Sequence, residues 1–398
     1  MKLSENRNGP TLMNLSYCIR CCMPETQEGQ VLDEKGYCNV CNSSEEKMRI
    51  DWSARRSQLE EILNHAKEEN AEKQYDCIIP ISGGKDSVYQ LHVLVKEYGM
   101  RPLAVTFSHN WYSSTGMYNL FNCLEVFDID HIMFTPRRGQ VNALAKKSLS
   151  AIGDACWHCH AGIGAFPLKM AKDYGIKLLI WGESAAESSS RGTYAKPMLT
   201  FDQDYFMKVS AKVSPEDMTG PEIQDRDLGT YRTPNAKEFS ASEIKGIHLG
   251  DYIFWDDERQ TEFIKREYGW KDTHIEGTYK RYKSAECIMP GVHDFANYVK
   301  RGYGRASFHA SADVRAGIIT RDEAFEHYVP LDSIVPRALD YYSEITGISR
   351  EEFINTLKEK RHKALGDQEV SIQDNADGRG RPTLFIEDLR SWVLNNEE

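Results

Sequence analysis

The chain has 398 residues, with 49 Lys and Arg against 60 Asp and Glu, so its formal net charge is −11. This length suffices for about two or three compact units, and a hydrophobic content of 40% is ordinary for a globular protein. The acidic balance argues against a broad nucleic-acid-binding surface, so we do not expect nucleic acid as a partner. No apolar stretch approaches the length of a membrane span and the chain begins without a secretory signal, which predicts a cytoplasmic protein with no membrane partner.

Two C-x-x-C pairs near the start of the chain predict a small metal-binding module over residues 14–50. The four cysteines are Cys18, Cys21, Cys38 and Cys41. Four thiolates at this spacing are typical of a tetrahedral structural zinc site in a zinc ribbon, and a segment with so few apolar residues needs such a metal in order to fold. Two alternatives stay open: Cys22 replaces Cys21 as a ligand, or the thiols are buried and bind no metal.

Residues 51–74 are predicted to connect this module to the next one through a charged amphipathic helix. The sequence then reads YDCIIPISGGKDS over residues 75–87. The apolar run predicts a buried strand, Gly83 and Gly84 permit a sharp turn, and helical periodicity starts at Asp86. Backbone N–H groups of the turn and the positive end of the helix would then face one point, which favours bound phosphate.

The motif Ser-Gly-Gly-Lys-Asp-Ser in this turn resembles the loop of the ATP pyrophosphatases, or PP-loop enzymes, rather than the P-loop of ordinary nucleotide triphosphatases. The resemblance implies that the loop binds the β and γ phosphates of ATP, that Lys85 offsets charge on the leaving pyrophosphate, and that Asp86 helps to hold Mg²⁺. The implied ATP-binding residues are Ser82, Gly83, Gly84, Lys85, Asp86 and Ser87. The alternative is a plain glycine-rich turn in which a serine caps the helix.

After the loop, strand-like and helix-like segments alternate up to Trp181. This order predicts an α/β fold over residues 75–290, with a parallel sheet covered by helices on both faces. The resemblance adds that the sheet is HUP-like, as in PP-loop ATP pyrophosphatases. The predicted strands are residues 77–81, 102–107, 131–134 and 177–181, and the predicted helices are residues 116–127, 140–151 and 162–174.

A ligand of such a sheet binds at the carboxyl ends of its strands, so three loops should meet around ATP. The loop that contains Ser82 is the first. In folds of this kind the loop after the second strand contacts adenine, which makes Phe107 and Ser108 candidate ATP-binding residues. Glu183, in the third loop, is a candidate catalytic residue near the metal or the substrate. Its alternative role is that of an acid in the first turn of a helix, favoured by the helix dipole.

Another C-x-x-C pair, Cys156 and Cys159, lies in the sequence DACWHCH. The position of the pair resembles that of the cluster-binding cysteines of tRNA thiolases in the same superfamily, where a third cysteine completes a 4Fe–4S cluster. Cys287 is the candidate for that third ligand. The neighbouring histidines, His158 and His160, instead favour zinc or a role in proton transfer. A third alternative is a pair at a helix start that binds no metal, and the sequence leaves all three open.

Three further segments resemble the bacterial N-acetyl sugar amidotransferases: GESAAE after Trp181, GIHLGDYI from Gly246, and KRGYGRASFHASADVRAGIITRDEA from Lys300. The resemblance covers about residues 14–329. It implies an enzyme that uses ATP to make acetamidino sugars for surface polysaccharides or flagellin. Its substrate would be an N-acetyl sugar or sugar nucleotide, and ammonia would come from a separate glutamine amidotransferase, since the chain lacks a recognisable glutaminase.

The carboxyl-terminal region, residues 291–398, is predicted to be helical and to bind the substrate. Arginine suits bidentate contacts with phosphate or carboxylate, although a solvated basic face is the alternative. The candidate substrate-binding residues are Arg301, Arg305, His309 and Arg315. The polar stretch over residues 188–240 is predicted to be a lid. Two rival functions remain at this level: a tRNA or small-molecule thiolase that uses Cys156, Cys159 and Cys287, and a nucleotide-binding module without catalysis.

Overall fold

The computed structural model describes residues 14–188, 192–197 and 211–395. The strands are β1 (Cys77–Pro80), β2 (Pro102–Phe107), β3 (His131–Phe134), β4 (Leu178–Trp181) and β5 (Lys245–His248). The α-helices are α1 (Asn39–Lys47), α2 (Trp52–Glu69), α3 (Lys85–Leu91), α4 (Ser114–Phe127), α5 (Arg138–Ile152), α6 (Trp157–Asp173), α7 (Ala185–Ser188), α8 (Ala236–Ser242), α9 (Asp257–Tyr268), α10 (Pro290–Arg301), α11 (Arg305–Ala316), α12 (Arg321–Glu323), α13 (Ala338–Thr346), α14 (Arg350–Glu359) and α15 (Phe385–Asn395). Within the described ranges, no helix is both long and apolar enough to cross a bilayer.

The five strands form one parallel sheet in the order β3-β2-β1-β4-β5. Strand β1 lies at its centre, and its side chains alternate between two cores. Ile79 packs with residues of α2, α3 and α4 on one face, whereas Ile78 packs with residues of α5 and α6 on the other. Both isoleucines are fully buried, as expected for a parallel sheet covered on both sides. The expected fold class, a parallel sheet with helices on both faces, is confirmed.

The structure also differs from the predicted elements in three places. Strand β5, which pairs with β4 at the sheet edge, was not among the predicted strands, because its four residues include a glycine and only one large apolar side chain, Ile247. Helix α6 begins at Trp157, five residues before the predicted start. Gly162 in this helix lies so close to Phe107 that a Cβ atom would be 2.2 Å from the ring, so tertiary packing explains a glycine that the helical pattern disfavours. Helix α3 continues as a π-helix over His92–Glu97.

The carboxyl-terminal region is helical, as predicted, and it packs against the sheet domain through α5. Val141 of α5 shares a core with Phe295 of α10, Tyr342 of α13 and Phe353 of α14. The Tyr342 hydroxyl also donates a hydrogen bond of 2.8 Å to the carbonyl of Ala145. The region therefore forms a continuous body with the sheet domain.

The predicted lid lies partly outside the described residues, since residues 189–191 and 198–210 are not described. The described part that follows contains two 3₁₀ helices, Pro215–Met218 and Asp225–Tyr231, before α8. Leu228 and Tyr231 are fully buried and pack in the same core as Phe107. This part of the segment is thus a packed side of the sheet domain.

Candidate active site

The phosphate-binding turn predicted from the sequence joins β1 to α3. Gly83 has a φ of +81°, and a Cβ atom there would lie 2.7 Å from the backbone nitrogen of Leu120. Only glycine fits this position. The turn is fixed by Trp270, whose indole nitrogen donates to the Gly83 carbonyl at 2.9 Å, and by Ser82, whose hydroxyl accepts from the Gly84 nitrogen at 3.3 Å.

Two adjoining cavities open at this turn. The larger, of about 550 Å³, lies between the turn, the segment 282–286, and the helices α10 and α11. The smaller, of about 360 Å³, lies at the carboxyl ends of the strands and shares Ser82, Asp86, Glu183 and Arg305 with the larger. Apolar side chains form one wall of the smaller cavity: Pro80, Ile81, Val105, Phe107, Ile163 and Trp181. The sheet therefore presents an apolar pocket next to a polar cleft, at the place where parallel sheets bind ligands.

Lys85 lies at the base of the turn and is buried, with 3% of its surface exposed. Its ammonium contacts Asp86 Oδ1 at 2.5 Å and Asp257 Oδ1 at 2.6 Å. Burial opposes the charge on Lys85, but attraction to Asp257, Asp86 and Glu183 outweighs it, so the pKa of Lys85 is raised and the lysine stays charged. Asp257 is also paired with Lys283, and its pKa is lowered because these two cations outweigh its burial.

Glu183 follows β4 and faces the turn from the other side. Burial, together with the nearby charges of Asp257 and Asp86, raises its pKa to about 8 in spite of Lys283, whose ammonium lies 3.9 Å away. Asp86 lines both cavities, and 38% of its side chain is exposed. The three predicted catalytic residues, Lys85, Asp86 and Glu183, are therefore brought together at the mouth of the turn.

The other predicted ligand contacts divide into two groups. Phe107 lines the apolar cavity, whereas Ser108 is buried just behind it, with its hydroxyl accepting from the Asn110 nitrogen at 3.2 Å. Arg305 lines both cavities, paired with Asp294 and donating to the Ser284 hydroxyl at 3.0 Å.

His309 lines the polar cleft beside Arg305, and its Nδ1 lies 2.7 Å from the Thr278 hydroxyl. Burial and the charges of Arg305 and Lys283 hold the pKa of His309 well below its usual value, so the ring is neutral. Arg301 and Arg315 do not line either cavity. Arg301 binds the carbonyl of Thr26 at 3.0 Å, and Arg315 donates to a serine on its own helix.

Sequence reasoning missed several charged residues of the site, among them Asp257, Lys283 and Glu286. The residue Asp257 is 172 positions from its partner Lys85, and at the start of α9 it resembles an ordinary first-turn acid. Glu286 lies over the turn, with its Oε2 3.2 Å from where a Cβ of Gly84 would be, and burial raises its pKa. No local pattern in the sequence indicates contacts of this kind.

The four cysteines of the amino-terminal module converge, as the spacing predicts. The donor atoms of Cys18, Cys21, Cys38 and Cys41 all lie within 4.8 Å of one another. The Sγ atoms of Cys18 and Cys41 are 3.7 Å apart, and those of Cys21 and Cys38 are 3.9 Å apart. A tetrahedral zinc ion with bonds of about 2.3 Å requires sulfur separations of about 3.8 Å, so the quartet fits zinc. Cys22 is excluded from the quartet, because its thiol points to the carbonyl of Ser307 at 3.3 Å.

This module also contributes to the cleft, which the sequence did not predict. Its residues Gln27 and Glu28 line the larger cavity, and Glu28 is paired with Arg301 at 2.5 Å. The side chain of Arg321 donates to the carbonyls of Cys18 and Cys21 at 3.1 and 3.0 Å. The module is thus fixed to α10 and α12 and forms one wall of the site.

The second group of cysteines, Cys156, Cys159 and Cys287, lines the apolar cavity. Burial raises the pKa of each of the three thiols, and that of Cys287 rises to about 12. His158 is buried behind them, with a ring nitrogen 3.3 Å from the carbonyl of His109, whereas His160 lines both cavities. The three thiols therefore share one wall, while the metal that was predicted for them stays a prediction.

The comparisons with known proteins give one family match. Residues 276–372 match the model of the LPS biosynthesis protein WbpG-like C-terminal domain. This segment carries Lys283, Glu286, Arg305 and His309, which are four of the residues that line the polar cleft.

A curated relative, an uncharacterized protein of Methanocaldococcus jannaschii, is 28% identical over 127 residues, which cover 32% of this chain and 44% of the relative. The chain thus spans less than half the length of that relative. Among solved structures, an NMN synthetase from Francisella tularensis matches with a TM-score of 0.27 at 14% sequence identity. The match covers 57% of this chain and 98% of the synthetase chain. The U34-tRNA thiolase NcsA from Methanococcus maripaludis, solved with its 4Fe–4S cluster, matches with a TM-score of 0.28 at 13% sequence identity. The match covers 78% of this chain and 89% of the thiolase chain.

Proposed function

We propose that this protein is an ATP-dependent amidotransferase. It converts the N-acetyl group of a sugar or sugar nucleotide into an acetamidino group and forms AMP and pyrophosphate, for the biosynthesis of surface polysaccharide or flagellin sugars. The observation that carries the proposal is the phosphate-binding turn with its buried, charged Lys85, placed between an apolar pocket and a polar cleft. The family match of residues 276–372 to an LPS biosynthesis domain supports a sugar as the second substrate.

The two cavities suit the two substrates. The apolar cavity between Pro80, Phe107 and Trp181 has the size and character for the adenosine part of ATP, and the turn from Ser82 would then hold the phosphates. The polar cleft beyond the turn, with Arg305 and His309 on its wall, would take the sugar. In this arrangement the α phosphate lies at the junction of the cavities, where both substrates can meet.

The reaction follows from the chemistry of an amide, whose carbonyl carbon is a poor electrophile. The amide oxygen attacks the α phosphorus of ATP, the bond to the bridging oxygen breaks, and pyrophosphate leaves with its electron pair. The resulting imidate carries AMP on the former amide oxygen. Ammonia then adds to the imidate carbon, a proton is lost, and AMP leaves with that oxygen, so that NH replaces O in the product.

Each charged residue of the turn has a role in the first step. Lys85 stabilises the charge that grows on the leaving pyrophosphate, and it stays protonated because Asp86 and Asp257 surround it. Bound Mg²⁺ would neutralise the phosphate oxygens, and Asp86, which is exposed to both cavities, is the residue that would hold it. The raised pKa of Glu183, about 8, makes its ionised form a stronger base than an ordinary carboxylate, and that form can accept the proton that ammonia loses in the second step.

Two further parts of the proposal concern the metal and the partner. The cysteine quartet would hold a structural zinc ion that stabilises the wall formed by Gln27 and Glu28. Ammonia would come from a separate glutamine amidotransferase, since the sequence carries no recognisable glutaminase motif. The purified protein should therefore use free ammonia but not glutamine, until that partner is added.

A second candidate function is a thiolase that delivers sulfur from a cluster on Cys156, Cys159 and Cys287. The specific observation in its favour is that all three thiols line the apolar cavity. The acidic balance of the chain counts against tRNA as its substrate. Such an enzyme would put sulfur in place of oxygen and would make a heavier product.

The test of the proposed function is pyrophosphate release with ATP, an ammonium salt and candidate N-acetyl sugar nucleotides. Release should depend on the sugar, and Lys85→Ala should lower it by about a hundredfold or more, as expected when a positioned charge is lost. Lys73→Ala is the matched control, because Lys73 lies on the surface, where its ammonium donates to the carbonyl of Gly175 at 2.7 Å. Sugar-independent ATP turnover, or equal rates in both variants, would reject the assignment of the turn.

A further inference from the structure

A cluster of unlike metal-binding side chains lies on the wall of the apolar cavity, next to the amino-terminal end of α6. It is distinct from the cysteine quartet of the amino-terminal module. One donor atom from each of Asp154, Cys156 and His293 lies within 4.8 Å of the other two. The three residues come from two distant parts of the chain, the turn before α6 and helix α10, so their convergence is a product of the fold.

We propose that Asp154, Cys156 and His293 bind a single zinc ion, with a fourth position open to the cavity. Carboxylate, thiolate and imidazole together are a donor set that zinc accepts, and three protein ligands with one open position are typical of zinc sites that bind a small molecule. The open position would take water, ammonia or another small donor of similar size. This proposal does not depend on the proposed function, because it concerns only metal binding by this chain.

The geometry around His293 supports the site. Its Nδ1 is buried and has no hydrogen-bond partner among the described residues, although Asp154 Oδ1 lies 3.5 Å away. That separation is close to the edge of a tetrahedron of zinc ligands, about 3.4 Å for bonds of about 2.1 Å. An unpaired buried nitrogen is costly, and an ion between Nδ1 and the carboxylate would satisfy both groups.

Neighbouring groups hold His293 and Asp154 in place by hydrogen bonds, as they do around ligands in metal sites. The other ring nitrogen of His293, Nε2, lies 3.4 Å from the side-chain amide of Asn297, which can accept its proton through the amide oxygen if the amide is flipped. The backbone nitrogen of Cys156 donates to Asp154 Oδ1 at 2.7 Å and fixes the carboxylate. Asp154 Oδ2 is turned to His160, 3.5 Å away, so the two carboxylate oxygens have separate tasks.

The open position faces the ligand cavity. Cys156 and His293 both line the smaller cavity, whereas Asp154 is 5% exposed and lies behind them. A metal bound by these three residues would therefore be accessible from the cavity. The position is a few side chains from Glu286 and Arg305, which line the same cavity.

The alternative use of Cys156 is in an iron–sulfur cluster with Cys159 and Cys287. A cluster spreads its sulfur ligands over several irons, whereas one ion requires donor atoms that converge on a point. Among the described residues near this cavity, Asp154, Cys156 and His293 converge in this way. Because Cys156 belongs to both sets, the two sites exclude each other, and the metal content of variants distinguishes them.

The experiment is elemental analysis of the purified full-length protein for zinc and iron, after dialysis against a weak chelator. We expect about two zinc atoms per chain, one for each site, and no iron. His293→Ala and Asp154→Asn should each remove about one zinc atom and leave the other. His160→Ala is the matched control, since His160 also contacts Asp154 but lies outside the proposed ligand set, and it should keep both ions.

The zinc of the cysteine quartet is an internal reference, and the far-UV circular dichroism spectrum of each variant shows whether the sheet domain is folded. Replacement of both ions by cobalt gives a second measurement: Cys156→Ser should lower the thiolate-to-cobalt absorption of the wild type to that of the cysteine quartet alone, while Cys159→Ser should leave it unchanged. Full zinc content in both His293→Ala and Asp154→Asn would overturn the proposal. Iron and sulfide that disappear equally in Cys156→Ser, Cys159→Ser and Cys287→Ser would also overturn it.

Discussion

Replacement of Glu183 by glutamine should make the protein more stable at alkaline pH. Burial and the nearby carboxylates raise the pKa of Glu183 to about 8, from an ordinary value of 4.5. A raised pKa means that the folded state favours the protonated form, so the stabilisation is complete below pH 4.5 and is lost as the pH rises through 8. Glutamine stays neutral at every pH, so the variant does not lose this stabilisation as the pH rises.

The size of the effect follows from the change in pKa. Each pH unit between the two pKa values costs the wild-type protein at most about 1.4 kcal/mol in free energy of unfolding, relative to the variant. The Glu183 side chain is 25% exposed, and the water that reaches it lowers the free-energy cost of charging the carboxyl group. We therefore expect the difference between variant and wild type to grow by about 2 to 4 kcal/mol between pH 5 and pH 9.

The assay is urea unfolding of both proteins at several pH values, followed by intrinsic tryptophan fluorescence. Glu60→Gln is the control, because Glu60 is an exposed carboxylate on α2 and its replacement should leave the pH dependence unchanged. Parallel curves of stability against pH for wild type and Glu183→Gln would refute the reasoning. In that case the pKa of Glu183 would be close to its ordinary value, and its carboxylate would be too weak a base to take the proton from ammonia effectively.

Three further predictions concern zinc, the phosphate site and the sugar site. Cys41→Ser should lower the zinc content by about one atom per chain and destabilise the amino-terminal module, whereas Cys22→Ser should keep the metal; equal zinc in both, by elemental analysis, would reject the quartet. Asp86→Ala should lower sugar-dependent pyrophosphate release by about a hundredfold or more in a coupled assay, and wild-type-like turnover would contradict its metal-binding role. Arg305→Ala should weaken the use of sugar, measured as kcat/KM, by about 1.5 to 3 kcal/mol with little change in ATP binding. Arg315→Ala, outside the cavities, should change neither, and equal losses in both arginine variants would argue for a structural effect.

Most of the sheet and the glycine turn after β1 could be predicted, because their signals are local. An apolar run that ends in two glycines determines a strand and a turn whatever surrounds it, and Gly83 does adopt the conformation that only glycine favours. Strand β5 could not be predicted in this way, since a four-residue edge strand gains its stability from pairing with β4. Gly162 within α6 likewise reflects a tertiary contact, with Phe107, that the local sequence does not indicate.

The candidate site could be predicted only in part, because its charges come from distant segments. Lys85, Asp86 and Glu183 follow strands whose ends must meet, so topology alone brings them together. Asp257 and Lys283 determine the charge state of Lys85, but no periodicity or motif links them to it. The arginines of the carboxyl-terminal region show the same limit. Their residue type indicates anion contacts, while the fold directs Arg305 to the cavities and Arg301 to the amino-terminal module.

The central claim is that the oxygen of the N-acetyl group is transferred to the α phosphorus of ATP and replaced by nitrogen. The most direct test uses a sugar nucleotide whose acetyl carbonyl carries a heavy oxygen isotope, with ATP and an ammonium salt, followed by mass spectrometry of all products. We predict that the AMP gains the heavy oxygen and that the sugar product is lighter than the unlabelled substrate by the difference between O and NH. Heavy oxygen retained in the sugar, or a sugar product made heavier by sulfur, would contradict the claim.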